Sequence, residues 1–115
     1  MTDQPPAEPA LDGEHLARQT FDDRDLGRDL LRLLDEQCGR LLPVIAGSGP
    51  VQARADAAHT LKGAARAVGA WGLAGAAERF EAALANGHDL SARLDDLHAA
   101  AGAFREAARA WANAT

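Results

Sequence analysis

Apolar residues recur along this 115-residue chain at the three- and four-residue spacing of amphipathic helices. The spacing predicts a short helix over residues 11–19 and longer helices over residues 23–46, 50–68, 71–86 and 90–113. Four amphipathic helices joined by short connections have only one another to bury their apolar faces against. We therefore expect an all-α fold, an antiparallel up-down-up-down four-helix bundle with a short extra N-terminal helix.

Turn-forming residues mark where these helices begin and end. The clearest break is Gly47-Ser48-Gly49-Pro50, since proline suits the first turn of the helix that follows. Asp22 is the predicted N-cap of the 23–46 helix, and Pro43 lies where it could kink that helix's last turn. Gly69 is placed to end the 50–68 helix.

The first ten residues differ from the rest of the chain. Residues 1–10 hold three of the five prolines and show no apolar period. The remaining length suits a single compact domain. We therefore predict a disordered lead-in over residues 1–10 and one bundle domain over residues 11–115.

Charge and composition narrow the classes of partner and location. The net charge of −5 argues against nucleic acid as a partner, because neutralising phosphates requires an excess of Lys and Arg. No segment approaches the roughly 20 apolar residues of a membrane span, and the acidic, proline-rich start is unlike a signal peptide. The single cysteine allows no intramolecular disulfide. These features favour a cytoplasmic protein with no membrane partner, and the high Arg and Ala content is typical of a bacterial source.

The 50–68 helix carries the most informative histidine. Its apolar face is centred between Ala58 and Leu61, and His59 points more than about 120° away from that centre. His59 should therefore be exposed, on an outer face that it shares with Gln52, Asp56, Gly63 and Arg66. An imidazole titrates near pH 6.5, so near neutrality most of it is uncharged and able to act as a nucleophile. A surface histidine with no function is the alternative.

Three neighbours of His59 fit a phosphate-handling site. Lys62, the only lysine among twelve basic residues, follows at i+3 and can bring an ammonium to phosphoryl oxygens. Gly63, at i+4, lowers helix stability by about 1 kcal/mol relative to alanine, so we expect it to serve the approach of another protein or close helix packing. Arg66 could contact the phosphate or the partner, or could be a solvated side chain.

At these positions the chain resembles a known family. His59-Thr60-Leu61-Lys62-Gly63, followed by Gly69-Ala70, is similar to the signature of the histidine phosphotransfer (HPt) domain. The similarity covers roughly residues 11–86 and departs from the family pattern at Ala64, where many members have Ser. It continues through four further positions: Leu73, Ala77, Phe80 and Glu81.

The resemblance implies a phosphoryl carrier rather than an enzyme. His59 would accept the group on its outer ring nitrogen from the aspartyl phosphate of a receiver domain and pass it to another receiver. The implied partners are response-regulator receiver domains and a hybrid histidine kinase, and the chain is expected to be a monomer. It would hold no metal or cofactor of its own, since Mg²⁺ is expected on the receiver.

Two other functions share this composition. The chain could be a helical interaction module that docks on signalling proteins without carrying phosphate. It could also be a dimerising kinase-type domain that presents its histidine to a separate catalytic partner, and the oligomeric state would discriminate. The other histidines and Cys38 show no metal-ligand spacing, and Cys38 is predicted to be a partly buried helix residue.

Overall fold

The computed structural model describes residues 8–114, which form five helices and no strand. The helices are α1 (Gly13–Thr20), α2 (Arg24–Ala46), α3 (Val51–Val68), α4 (Trp71–Asn86) and α5 (Leu90–Asn113). The bounds of α2 to α5 lie within one residue of those that the sequence predicts, and α1 is shifted by one or two residues. The all-α prediction is confirmed for the described residues.

Short polar side chains and left-handed residues set the helix ends. Asp23 caps α2, because its side chain accepts a 3.1 Å hydrogen bond from the backbone N–H of Leu26. The predicted cap at Asp22 is wrong by one residue. Phe21 and Asp22 both adopt left-handed backbone conformations, with φ of 53° and 61°, and turn the chain before the helix begins. Gly69, with φ of 89°, ends α3 as predicted, in a conformation that glycine adopts without steric strain.

The core lies between the helices and combines large and small side chains. Alanines dominate the facing sides of α3 and α4, so their backbones approach closely and this pair makes the most extensive contact in the molecule. Each large apolar side chain that is fully buried contributes roughly 1.5–3 kcal/mol. The largest are Phe80, Phe104, Leu16, Leu34, Ile45, Leu61, Leu73 and Leu97.

Three apolar residues assigned to buried stripes by their spacing are exposed. Leu26 and Val51 lie in the first turns of α2 and α3, and their exposed fractions are 41% and 60%. Leu33 is 54% exposed, although it lies in the middle of α2. Leu33 lines a groove between α2 and α3. The α3 side of this groove includes Ala64 and Ala67, and these short side chains cover Leu33 only partly.

Helices α2 to α5 pack side by side in chain order, and the extent of contact differs between pairs. The α2–α3, α3–α4 and α4–α5 pairs make broad contacts, whereas α2 and α5 touch over a smaller area. Contacts between α3 and α4 pair residues in opposite order along the chain, as do those between α2 and α5. Pro43 lies inside α2, and the helix continues through it to Ala46. None of the five described helices combines the length and the apolar content needed to cross a bilayer.

The N-terminal segment, residues 8–15, runs into the first turn of α1 and contacts the corner between α3 and α4, which is the connection around Gly69 and Ala70. Asp12 is central to it: its backbone N–H donates to the carbonyl of Gly69 (2.8 Å), and its carboxylate accepts from Trp71 Nε1 (2.9 Å). Pro9, which the sequence places in the lead-in, accepts a 3.0 Å hydrogen bond from the backbone N–H of Gly72. The packed part of the chain thus begins before Leu11, and residues 1–7 of the predicted lead-in lie outside the described residues.

Candidate functional site

The outer face of α3 presents His59 to solvent. Its side chain is 71% exposed, as the helical spacing predicts. The residues predicted to share this face are exposed as well: Gln52, Asp56, Gly63 and Arg66. The apolar side of the same helix, including Leu61 and Ala65, is fully buried. The histidine is therefore held on a rigid helix whose opposite face is fixed in the core.

A carboxylate from α4 orients the His59 ring. Glu81 Oε2 lies 3.4 Å from His59 Nδ1, and no hydrogen bond or ion pair involves Nε2 within residues 8–114. A carboxylate attracts the ring nitrogen that carries a proton, so the contact favours the tautomer with Nδ1 protonated. In that tautomer Nε2 keeps its lone pair. The outer ring nitrogen is thus available as a nucleophile.

Lys62 meets the other oxygen of the same carboxylate. Lys62 Nζ lies 3.0 Å from Glu81 Oε1, at an angle unsuited to a hydrogen bond, so charge attraction alone holds this buried oxygen. The lysine side chain is only 15% exposed. The sequence placed its ammonium one turn from the histidine. The structure adds that the ammonium is engaged by Glu81. His59, Lys62 and Glu81 form what we call the His59 cluster.

Nothing within residues 8–114 requires glycine at position 63. A Cβ atom built on it would meet no atom within 4 Å, and its φ is not among the positive values. Close helix packing, one of the two explanations drawn from the sequence, is therefore wrong. The surface next to His59 is open at this position.

Arg66 lies one turn beyond the His59 cluster and does not join it. One of its terminal guanidinium nitrogens lies 3.5 Å from Glu78 Oε2 on α4, and both side chains are about half exposed. The arginine is therefore partly occupied by a surface ion pair. Such exposed pairs contribute little to stability and break readily.

No role for Glu81 follows from the sequence alone, although the residue is part of the family pattern. Gly69 and Ala70 are all that separates α3 from α4, so residues at similar distances on either side of this connection lie opposite each other. His59 and Glu81 lie ten and eleven residues from it, as counted from Gly69 and Ala70. The register of the helical hairpin is the signal that could have identified the pair.

A shallow apolar groove between α2 and α3 adjoins the histidine face. Ala67, on its edge, follows Gly63 at i+4 and so lies on the same side of α3. The exposed Leu33 lines the groove from α2, together with the polar residues Glu36, Gln37 and Arg40. An apolar surface thus continues from the open position at Gly63 onto α2.

The remaining candidate groups lie apart from this site. Cys38 is fully buried, deeper than predicted, and burial raises the pKa of its thiol, which disfavours the reactive thiolate. His15 Nε2 donates to the carbonyl of Ala67 at 3.2 Å and serves the N-terminal segment. Among residues 8–114, no three His, Cys, Asp or Glu side chains are grouped closely enough to hold a metal ion.

Comparison with protein families assigns the chain. The family model described as Hpt domain matches residues 22–114, a range that contains α2 to α5 and the whole His59 cluster. Searches of curated proteins and of solved structures gave no match. The resemblance drawn from the motif at residues 59–63 is thus confirmed at the level of the family. The chain belongs to the Hpt domain family, whose members carry phosphoryl groups on histidine in phosphorelays.

Proposed function

We propose that this protein is a phosphorelay carrier in which His59 receives a phosphoryl group from one receiver domain and passes it to another. Nε2 of the neutral ring attacks the phosphorus of the receiver's aspartyl phosphate, an N–P bond forms, and the aspartate carboxylate leaves. The reverse exchange delivers the group to the second receiver. The observation that carries this proposal is the contact of Glu81 with Nδ1 of an exposed histidine, which leaves Nε2 free.

Glu81 supports the transfer through charge. As Nε2 forms its bond to phosphorus, the ring keeps its Nδ1 proton and becomes positively charged. A carboxylate 3.4 Å away stabilises that charge without first removing a proton. Glu81 is therefore a positioning residue, which orients the ring and favours its charged, phosphorylated form.

Lys62 supplies the balancing positive charge. In the resting site its ammonium neutralises Glu81, and it lies on the same helix one turn from His59. A phosphoryl group on Nε2 brings two negative charges close to this ammonium and draws it toward the new oxygens. Mg²⁺ and the acidic pocket that binds it belong to the receiver, so positioning and charge are the carrier's whole contribution.

The receiver would dock on the face that joins His59 to the α2–α3 groove. Gly63 leaves room beside the ring, and Leu33 offers apolar area that the chain itself does not cover. The charged residues near this surface are Arg40 and Glu36 in the groove and the exposed Arg66 on α3. An antiparallel up-down-up-down arrangement of α2 to α5, in a monomer, would present the face without interruption.

The decisive experiment measures phosphotransfer from a phosphorylated receiver domain to wild type, His59→Gln and His98→Gln. His98 is an exposed histidine on α5 and serves as the matched control. We expect acid-labile, base-stable label on wild type and on His98→Gln and none on His59→Gln, with equal stability of all three because both residues are exposed. Label on His59→Gln would contradict the proposal. Receiver binding without any label would favour the interaction module.

A further inference from the structure

An open groove of about 290 Å³ runs between α2 and α5, where the two helices are loosely packed. Its apolar floor is formed by Leu31 from α2 and by Ala108 and Ala112 from α5. The alanine side chains are too short to fill the space between the helices. The ring of Trp111 packs against Gly27 and closes the gap between the two helices at one end of the groove.

Four of the eleven arginines line this groove. Arg28 and Arg32 lie one turn apart on α2, and Arg105 and Arg109 lie one turn apart on α5. Asp35 is the only acidic side chain in the lining. In a chain of net charge −5, the groove concentrates positive charge in two facing rows.

Two of these guanidinium groups, those of Arg32 and Arg109, are free or weakly held. Arg28 and Arg32 pair at i+3 with Asp25 and Asp29, which project into solvent, and exposed pairs of this kind are worth little. Arg109 makes no ion pair within residues 8–114. Arg105 and Arg28 have groove-lining partners: Arg105 pairs with Asp35, and Arg28 also donates a 3.4 Å hydrogen bond to the carbonyl of Ala112.

We infer that this groove binds an extended acidic segment of a partner protein. Residues at i and i+4 on a helix are about 5–6 Å apart, close to the roughly 6.6 Å between alternate residues of an extended chain. Consecutive side chains of such a segment project to opposite sides. Acidic residues of such a segment therefore reach both arginine rows, where Arg32 and Arg109 are the least engaged, and guanidinium groups bind carboxylates in bidentate fashion. The apolar floor packs against the methylene groups of the bound side chains.

The groove and the His59 cluster lie on different helices. The groove is formed by α2 and α5, whereas His59 and Glu81 pair across α3 and α4. A partner held in the groove leaves the histidine exposed, so docking and phosphotransfer are compatible. The inference does not depend on the proposed function.

Fluorescence anisotropy with a fluorescein-labelled hexaglutamate peptide tests the inference on the full chain. We expect binding at low salt that weakens as salt screens the charges. An Arg32→Gln/Arg109→Gln variant should bind about tenfold more weakly, since each lost charge-assisted hydrogen bond contributes. Arg18→Gln/Arg79→Gln removes the same charge from exposed positions outside this groove and outside the receiver-docking face, and should bind as wild type does. His59→Gln should leave peptide binding unchanged, which separates this result from the test of phosphotransfer.

Three outcomes would overturn the inference. Equal weakening by the two double variants would show a response to net charge alone. Groove-dependent binding of inorganic pyrophosphate without binding of the peptide would assign the groove to small anions. Absence of peptide binding at millimolar concentration in low salt would show that the arginines bind no acidic segment.

Discussion

The two oxygens of Glu81 have different neighbours: Oε2 faces His59 Nδ1, and Oε1 faces Lys62 Nζ. The carboxylate thus lies between the histidine ring and the lysine ammonium. Neither contact follows from α3 alone, where the sequence shows only an exposed histidine with a lysine at i+3. The sequence identified two members of the cluster because they share a helix. It missed the role of the third because that contact crosses between helices.

Replacing Glu81 by Gln tests this connection at the residue scale. The amide keeps an oxygen that can accept from Nδ1 but loses the negative charge, so we expect phosphotransfer to slow by about tenfold. ¹⁵N NMR of the His59 ring should still show the Nδ1-protonated tautomer in the variant, whereas Glu81→Ala should lose that preference.

Glu78→Gln is the control, because Glu78 lies on the same helix and contacts Arg66 rather than the cluster. An unchanged transfer rate in Glu81→Gln, or an equal loss in Glu78→Gln, would contradict the positioning role of Glu81.

At the scale of elements, α3 combines a firmly packed side with a face adapted for contact. Its bounds could be predicted because Pro50 and Gly69 mark its ends and its apolar residues keep a helical period. The exposure of Val51 could not be predicted, because a residue in the first turn of a helix is buried only if side chains of neighbouring helices reach it. The cap of α2 at Asp23 rather than Asp22 could not be predicted either, because two adjacent aspartates are equivalent cap candidates in the sequence. The choice depends on the left-handed backbone at residues 21 and 22, which belongs to the turn before the helix.

Gly63 provides the test at this scale. Gly63→Gln should stabilise the protein by roughly 0.5–1 kcal/mol, because glutamine is the better helix former and open space surrounds the position. The same substitution should slow phosphotransfer several-fold by crowding the docking face. Urea denaturation and transfer kinetics measure the two effects.

Gly102→Gln is the matched control, since Gly102 is also exposed, helical and free of neighbours within 4 Å, but lies on α5. It should give the same gain in stability and no change in transfer. Equal transfer rates in the two variants would remove the functional explanation for Gly63.

At the scale of the whole molecule, the N-terminal segment ties the start of the chain to the corner between α3 and α4. Asp12 caps α1 through the backbone N–H of His15 and accepts from Trp71 Nε1, so one carboxylate joins two helices. His15 packs edge-on against Trp71, with ring centroids 4.9 Å apart. This arrangement could not be predicted from the sequence, because its contacts join residues about 60 positions apart in the chain.

The contribution of Asp12 to stability should depend on pH. The hydrogen bond from Trp71, and next that from the His15 backbone, lower the pKa of Asp12 below its ordinary value of 3.8. A carboxyl whose pKa is lower in the folded state stabilises the fold above its unfolded pKa, and this contribution is lost as the pH falls through the folded pKa. The difference in free energy of unfolding between wild type and Asp12→Asn should therefore be constant above about pH 5 and shrink below pH 3.8.

Urea denaturation across this pH range measures the difference. Asp95→Asn, which removes an exposed carboxylate with no described partner, controls for the loss of one surface charge. A difference for Asp12→Asn that does not change with pH would show that its hydrogen bonds do not favour the charged form.

The two-residue connection between α3 and α4 limits how this chain can vary. Surface loops usually accept insertions, because each added residue has a small entropic cost. Here one inserted residue would advance α4 by about 1.5 Å and rotate it by about 100°, and so carry Glu81 away from the histidine. Homologous chains should therefore vary in length more often at the α2–α3 and α4–α5 connections than at Gly69-Ala70. The length of this connection therefore determines whether Glu81 reaches His59 at all.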